Sequence, residues 1–178
     1  DPFGFSLPVP YSQSAYTTPQ KVGGLPEVLK MDAGSGSHTV ALGCGGRVFA
    51  WGSNVNGQLG NPTDAPSGED AYSATPVAVL RGEAPNTNGV GYLSNAVDVA
   101  GGNDESYAIL DDGRLVGWGQ NDKGQLGDGT TTDRATPVFV QSGVTAFGQT
   151  FQDPLENVVG IEAGDENGFA LTSDGRVW

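Results

Sequence analysis

The sequence predicts an all-β chain in which small antiparallel sheets are stacked side by side around an axis. Two observations predict it. Nearly the same words are spelled three times: HTVALGCGGRVFAWG at 38–52, ESYAILDDGRLVGWG at 105–119 and NGFALTSDGRVW at 167–178. Arg47, Arg114 and Arg176 hold one slot of that phrase, spaced by 67 and then 62 residues. Self-similarity at such a period marks stacked supersecondary units. The second observation is compositional: 29 Gly and 11 Pro in 178 residues, with no long stretch of helical period, leave little room for helix.

Each unit divides into recognisable parts. Residues 38–42 and 47–51 alternate as strands do, and Gly45-Gly46, Asp112-Gly113 and Asp174-Gly175 lie between the paired runs. Such dipeptides supply the positive φ that a tight hairpin turn demands. After the Trp-Gly step come SNVNGQLG (53–60) and QNDKGQLG (120–127), then Thr-Pro steps at 18–22, 75–79 and 136–140. Short apolar runs ending in Ala-Gly close the units: VLKMDAG (28–34), AVDVAG (96–101) and VVGIEAG (158–164). On this reading Gly34 and Gly101 each stand one residue further from their hairpins than Gly164 does. A residue present in every unit is architecture, so Trp51 and Trp118 are assigned to packing between sheets. Arg47, Arg114 and Arg176 are structural repeat positions in the same sense. The division is an N-terminal extension at 1–16, the end of one repeat plus the first full repeat at 17–79, a second repeat with an inserted loop at 80–140, and an inserted loop with a third, incomplete repeat at 141–178. Radially arranged sheets of this kind form a β-propeller, and roughly four to eight blades close a ring. The chain is therefore read as a partial propeller and a piece of a longer protein. The alternative is that strands of another copy complete its terminal blade.

These words resemble the regulator of chromosome condensation repeat, a family of seven-bladed β-propellers. The matching residues are the Ala-Gly step, His38-Thr39 and the strand they open, the Gly-Arg-Val hairpin, WGSNVNGQLG and the Thr-Pro step. Glu105-Ser106 and Asn167-Gly168 depart from the His-Thr word. The resemblance covers residues 17–178. It implies activities as different as nucleotide exchange on a small GTPase, ultraviolet perception in plants and inhibition of β-lactamase by a secreted propeller. Trp51, Trp118 and Trp178 form no cluster of the photoreceptor kind.

Charge narrows the partners. Eight basic residues face 21 acidic ones, a formal charge of −13. Nucleic-acid binding needs Lys and Arg to neutralise phosphates, and no basic cluster exists here. No apolar run is long enough for a membrane span. Catalytic constellations are also missing. The lone His38 belongs to a repeated strand word and is assigned a structural hydrogen bond, and the single Cys44 forbids an intrachain disulfide. Calcium has one candidate, the oxygen-rich turn Asp128–Asp133, which also matches the family's ordinary loop. Neither a metal nor a cofactor is expected.

Where the units differ, contact is the expected output. Inserted loops carry Tyr72, Tyr92, Phe147 and Phe151, and loops on rigid scaffolds hold a disproportionate share of binding residues. Those aromatics either form a contact surface or fold back as local cores. The sequence thus predicts a noncatalytic protein-interaction scaffold, with a protein partner or copies of itself. The alternative is a structural subunit that assembles as a homo-oligomer through terminal blade edges. The low lysine content and a surface rich in Ser, Thr, Asn and Gly suggest a bacterial protein placed extracellularly or at the cell surface.

Overall fold

A computed structural model describes residues 21–84, 91–143 and 153–178, together with the backbone of Thr145–Ala146 and Gln149–Thr150. Among the described residues every regular element is a strand. The first sheet is a four-stranded antiparallel meander of β1 (Val28–Asp32), β2 (His38–Gly43), β3 (Val48–Ser53) and β4 (Tyr72–Ala78). The second repeats it with β5 (Ala96–Gly101), β6 (Glu105–Leu110), β7 (Leu115–Gly119) and β8 (Arg134–Phe139). After a small ribbon of β9 (Thr145–Ala146) and β10 (Gln149–Thr150), a third sheet begins with β11 (Val158–Ala163) and β12 (Gly168–Thr172). Its next strand is started by a bridge between Leu171 and Val177. The all-β, stacked-blade architecture read from the repeats is what the chain adopts.

Local chemistry explains the hairpins. The N–H of Leu110 donates to the Arg114 carbonyl and that of Thr172 to the Arg176 carbonyl, closing tight turns around Gly113 and Gly175. Both glycines have φ near +80° (81° and 82°). The Asp before each glycine accepts the arginine N–H on its own carboxylate, at 3.1 Å for Asp112 and 3.3 Å for Asp174. The glycine of each Trp-Gly step is required for a different reason. Gly52 and Gly119 have φ of 106° and 102°, and a Cβ there would lie 2.3 Å from the carbonyl oxygens of Ser37 and Asp104. At this step the pairing with the next strand slips by two residues in both complete sheets. A second slip recurs in β1, β5 and β11, and the extra residues Leu29, Val97 and Val159 all turn outward.

The sheets stack face to face, and alternation along each strand supplies both faces. Val40, Val48, Val99, Ala108, Val116 and Trp118 belong to the core between the first two sheets. Tyr107, Ile109, Leu115, Ile161 and Ala170 belong to the core between the second and third. Every residue of β6 and β7 is buried, because the second sheet is covered on both sides. Met31 shows the converse. It holds the slot of Val99 and Ile161 on the first sheet and is 58 % exposed, where those two are 0 % and 4 %.

Pairing also corrects the alignment of the units. Gly101 pairs with Ser106 and Ala163 with Gly168, so Gly102, not Gly101, shares the slot of Gly164. The N–H groups of Gly102 and Gly164 make the same 2.8 Å bond to the carbonyls of Glu105 and Asn167. Only the first unit therefore carries the extra residue. Ala-Gly and Gly-Gly look alike as words, and only the ladder distinguishes the two offsets.

Candidate interaction surface

The junction between the first two sheets is held by residues that recur in the sequence. The turn after β3 is organised by Asn54, whose Oδ1 accepts the Leu59 N–H at 2.9 Å. This presents Gln58, fully buried, toward the second sheet. Its carbonyl accepts the Trp118 indole N–H at 2.9 Å and the Ser106 hydroxyl at 3.1 Å, and its Nε2 donates to Asp104 at 2.6 Å. His38 Nε2 lies 2.8 Å from the same Ser106 oxygen. Since that hydroxyl donates onward to Gln58, Nε2 carries the proton and donates. Nδ1, buried and without a partner, is then unprotonated. Burial pushes the His38 pKa down, against the nearby Asp104 charge, and keeps the ring neutral. The structure thus places His38 in a structural hydrogen bond. Trp118 is fully buried, while Trp51 in the same slot of the first sheet is half-buried.

The next junction differs at each of these positions. Glu105 stands where His38 stood, and Gly168 replaces Ser106. A Cβ on Gly168 would lie 3.0 Å from the Tyr107 ring, whose hydroxyl donates to the Gln125 carbonyl at 2.8 Å. Glu105 is fully buried; its Oε2 accepts the Asp104 N–H at 3.1 Å, and its Oε1 has no partner. Desolvation raises its pKa to about 7, with Asp104 and Asp165 pushing the same way against two backbone hydrogen bonds. The sequence signal was the departure of Glu105-Ser106 from the His-Thr word, which spacing alone left without a consequence.

The two ends of the sheets differ in charge. At the end that carries the β1–β2, β3–β4 and β7–β8 loops, Asp64, Glu69, Asp70, Asp122, Asp133, Asp165 and Glu166 are exposed. The cations there are Lys123 and Arg134, ion-paired with Asp122 and Asp128, each at 2.6 Å. A polar cleft lined by Ser35, Asn103, Asp165, Glu166 and Asn167 opens among these loops. The opposite end exposes as many carboxylates (Glu27, Glu83, Asp111, Asp112, Asp153, Glu156 and Asp174) but offsets them with four arginines, which also serve local structure. Arg47 stacks on Tyr92 at 4.6 Å and Arg114 on Phe139 at 4.7 Å. Arg114 also donates to Asp112 and holds that carboxyl below its ordinary range. Arg176, largely exposed, lies 3.3 Å from Asp174.

The aromatic candidates do not converge. Tyr72 pairs with Ser53 and so lies at the acidic end, 52 % exposed. Tyr92 is bridged to Leu80 at the other end and half-buried beneath Arg47, a local core. Phe147 and Phe151 lie outside the described residues. The calcium candidate is organised by its own donors. Asp128 accepts from Asn121, from Thr130 twice and from Arg134, at distances from 2.6 to 3.0 Å. Burial works to raise its pKa, but these bonds together bring it below the ordinary value. Among the described residues no group of three His, Cys, Asp or Glu side chains is placed to hold a metal, and no helix is long and apolar enough to cross a membrane.

Comparison with known proteins places these features in a family. The regulator of chromosome condensation (RCC1) repeat matches residues 45–109 and 112–171, and a second description of the same repeat matches 28–58 and 96–125. Protein pim1 of Schizosaccharomyces pombe is 32 % identical over 167 residues, covering 90 % of this chain and 28 % of pim1. Human E3 ubiquitin-protein ligase HERC2 is 31 % identical over 163 residues, 90 % of this chain and 3 % of HERC2. Human WBSCR16 superposes with a TM-score of 0.61 at 25 % identity, covering 85 % of this chain and 32 % of that one. Prp20p of Saccharomyces cerevisiae, described with its binding to Gsp1p and histones, superposes with a TM-score of 0.58 at 23 % identity over 90 % of this chain and 32 % of Prp20p. The chain spans less than a third of each of these proteins. They also correct one expectation. The relatives named here are proteins of yeasts and of human, HERC2 being named for ubiquitin ligation and Prp20p described with histone binding, so the extracellular or cell-surface setting does not hold. The abundance of Ser, Thr, Asn and Gly reflects the turns that each blade requires, and says nothing about compartment. The recurring hairpins, the slips at Trp-Gly and the sheet-to-sheet contacts through Gln58 are thus features of a chain that belongs to the regulator of chromosome condensation (RCC1) repeat family.

Proposed function

We propose that this chain is a noncatalytic protein-binding segment of a propeller, and that its acidic loop end docks a basic protein surface. The observation that carries this reading is the uneven share of cations: both ends expose seven carboxylates among the described residues, but Arg47, Arg81, Arg114 and Arg176 all lie at the other end. Seven exposed carboxylates and the exposed Tyr72 share one end, where both cations are already paired. Such a field speeds encounter with a cationic partner and repels phosphate backbones, which favours protein over nucleic acid. Tyr72 adds an aromatic contact next to Glu69 and Asp70, the composition of an interface centre. The relatives support the noncatalytic part. The same region makes up 28 % of pim1 and 3 % of HERC2, so it recurs in chains of very different length and name.

The test is binding of the full-length protein to a lysine-rich peptide, with an alanine-serine peptide as control. Replacing Glu69→Gln, Asp70→Asn and Tyr72→Ala together weakens binding by about tenfold at low salt, and raising the salt weakens the native protein similarly. Tyr92→Phe leaves binding unchanged. Equal affinity of the triple variant and the native protein contradicts the reading. A mass that grows with concentration would favour contact between copies instead.

A further inference from the structure

The two junctions between sheets are alike at one end and different at the other. At the end of the hairpin turns each is pinned by the same backbone bond, from Ala96 N–H to Gly46 at 3.0 Å and from Val158 N–H to Gly113 at 2.9 Å. At the acidic end the first junction is fastened by His38 to Ser106, Gln58 to Asp104 and Trp118 to Gln58. The corresponding side chains of the second junction are Glu105 and Gln125, and both end in a buried atom without a partner, Oε1 and Nε2. The hydroxyl that would have met Glu105 is missing because its slot holds Gly168.

What Glu105 meets instead is another acceptor. Its Oε1 and the carbonyl oxygen of Gly164, on the β11–β12 loop, crowd one side of Gly102. A Cβ on Gly102 would lie 2.2 Å from the first and 2.8 Å from the second. The two acceptors therefore lie within about 5 Å of each other, and two acceptors crowded together in a buried site are unfavourable unless a proton is supplied to one of them. The charged groups that bear on the carboxyl are Asp104 on its own loop and Asp165 on the β11–β12 loop, both acidic, and Tyr107 shares its strand face. No base is among them.

We propose that Glu105 is a proton-held latch between the second and third sheets: protonated, it donates to the Gly164 carbonyl and closes the acidic end of that junction, and ionised, it leaves that site and lets the β11–β12 hairpin swing about the Gly113–Val158 bond. The proton passes to solvent, and no other group changes. The loop that moves carries Asp165, Glu166 and Asn167, so opening reshapes the polar cleft beside the first two sheets. The latch stands independently of any partner, and its failure leaves the binding reading intact.

Hydrogen exchange of the full-length protein at pH 6 and pH 8, corrected for intrinsic rates, tests it. Ile161 and Ala170 amides are expected to open about tenfold more often at pH 8, while Val99 and Ala108 in the first junction do not change. Glu105→Gln keeps the shape, cannot ionise, and holds Ile161 and Ala170 at one level at both pH values. A native protein with no pH effect at Ile161 and Ala170, or a Glu105→Gln variant that retains it, overturns the proposal. Carboxyl carbon shifts supply the second readout, since Glu105 must titrate near neutrality; a midpoint in the ordinary glutamate range also overturns it.

Discussion

Trp118 and Trp51 occupy the same slot, yet replacing each by Phe is expected to have unequal effects. Trp118 is fully buried, and its indole N–H bonds to Gln58 across the sheet junction. Loss of that bond removes about 1 kcal/mol. The Gln58 carbonyl keeps the Ser106 hydroxyl, so no buried acceptor is orphaned. The smaller ring leaves a void beside Gly60, where a Cβ would lie 2.9 Å from the indole nitrogen, in the core that Trp118 shares with Val79. That void adds about 1 to 2 kcal/mol, giving roughly 2 to 3 kcal/mol for Trp118→Phe. Trp51 is half-buried, so Trp51→Phe is expected to cost less than about 1 kcal/mol. Denaturant unfolding of the two variants, followed by circular dichroism, measures the difference. Equal losses would refute the reasoning, because the slot alone, and not the Gln58 contact, would then set the energy.

Three further outcomes follow from particular side chains. Gly119→Ala must hold a Cβ at φ 102° and 2.3 Å from the Asp104 carbonyl; a loss of about 2 to 4 kcal/mol in unfolding free energy is expected. Glu105 has its folded pKa raised from 4.5 to about 7, so the native state holds the proton more tightly than the unfolded chain does. Stability should therefore decline as pH rises from about 4.5 to 7, by up to about 3 kcal/mol, and Glu105→Gln should flatten that slope in melts across this range. Asp128→Ala strips the acceptor from Asn121, Thr130 and Arg134 and should cost about 2 to 3 kcal/mol. Melting of the native protein should not change when calcium is added or chelated.

The sequence made the blades legible because their punctuation is chemical. Asp112-Gly113 and Asp174-Gly175 can do little else than turn, and Trp-Gly marks a slip that only glycine permits. The order of the strands followed from the repeat. Which end each loop reaches did not, because that depends on counting strand reversals: Tyr72 and Tyr92 looked like one set of loop aromatics and fall on opposite ends. The offset between Gly101 and Gly102 was hidden for a related reason, since small residues on both sides satisfy the same word. Glu105 was visible as a departure from its neighbours, but its meaning depends on Gly168 and Gly164, more than 50 residues away in the chain. Compartment was misread, because a turn-rich surface has the same composition wherever the protein resides.

Side-by-side stacking of the sheets is the claim on which the rest stands, and one contact reports it directly. Lys30 on β1 and Asp98 on β5 are 68 residues apart in sequence, and their charged atoms lie 2.6 Å from each other. A zero-length carbodiimide reaction on the native protein, read by peptide mass spectrometry, should give a Lys30–Asp98 amide that disappears in denaturant. Cross-linking of Lys30 to other carboxylates, with no Lys30–Asp98 product, would contradict the stacked arrangement.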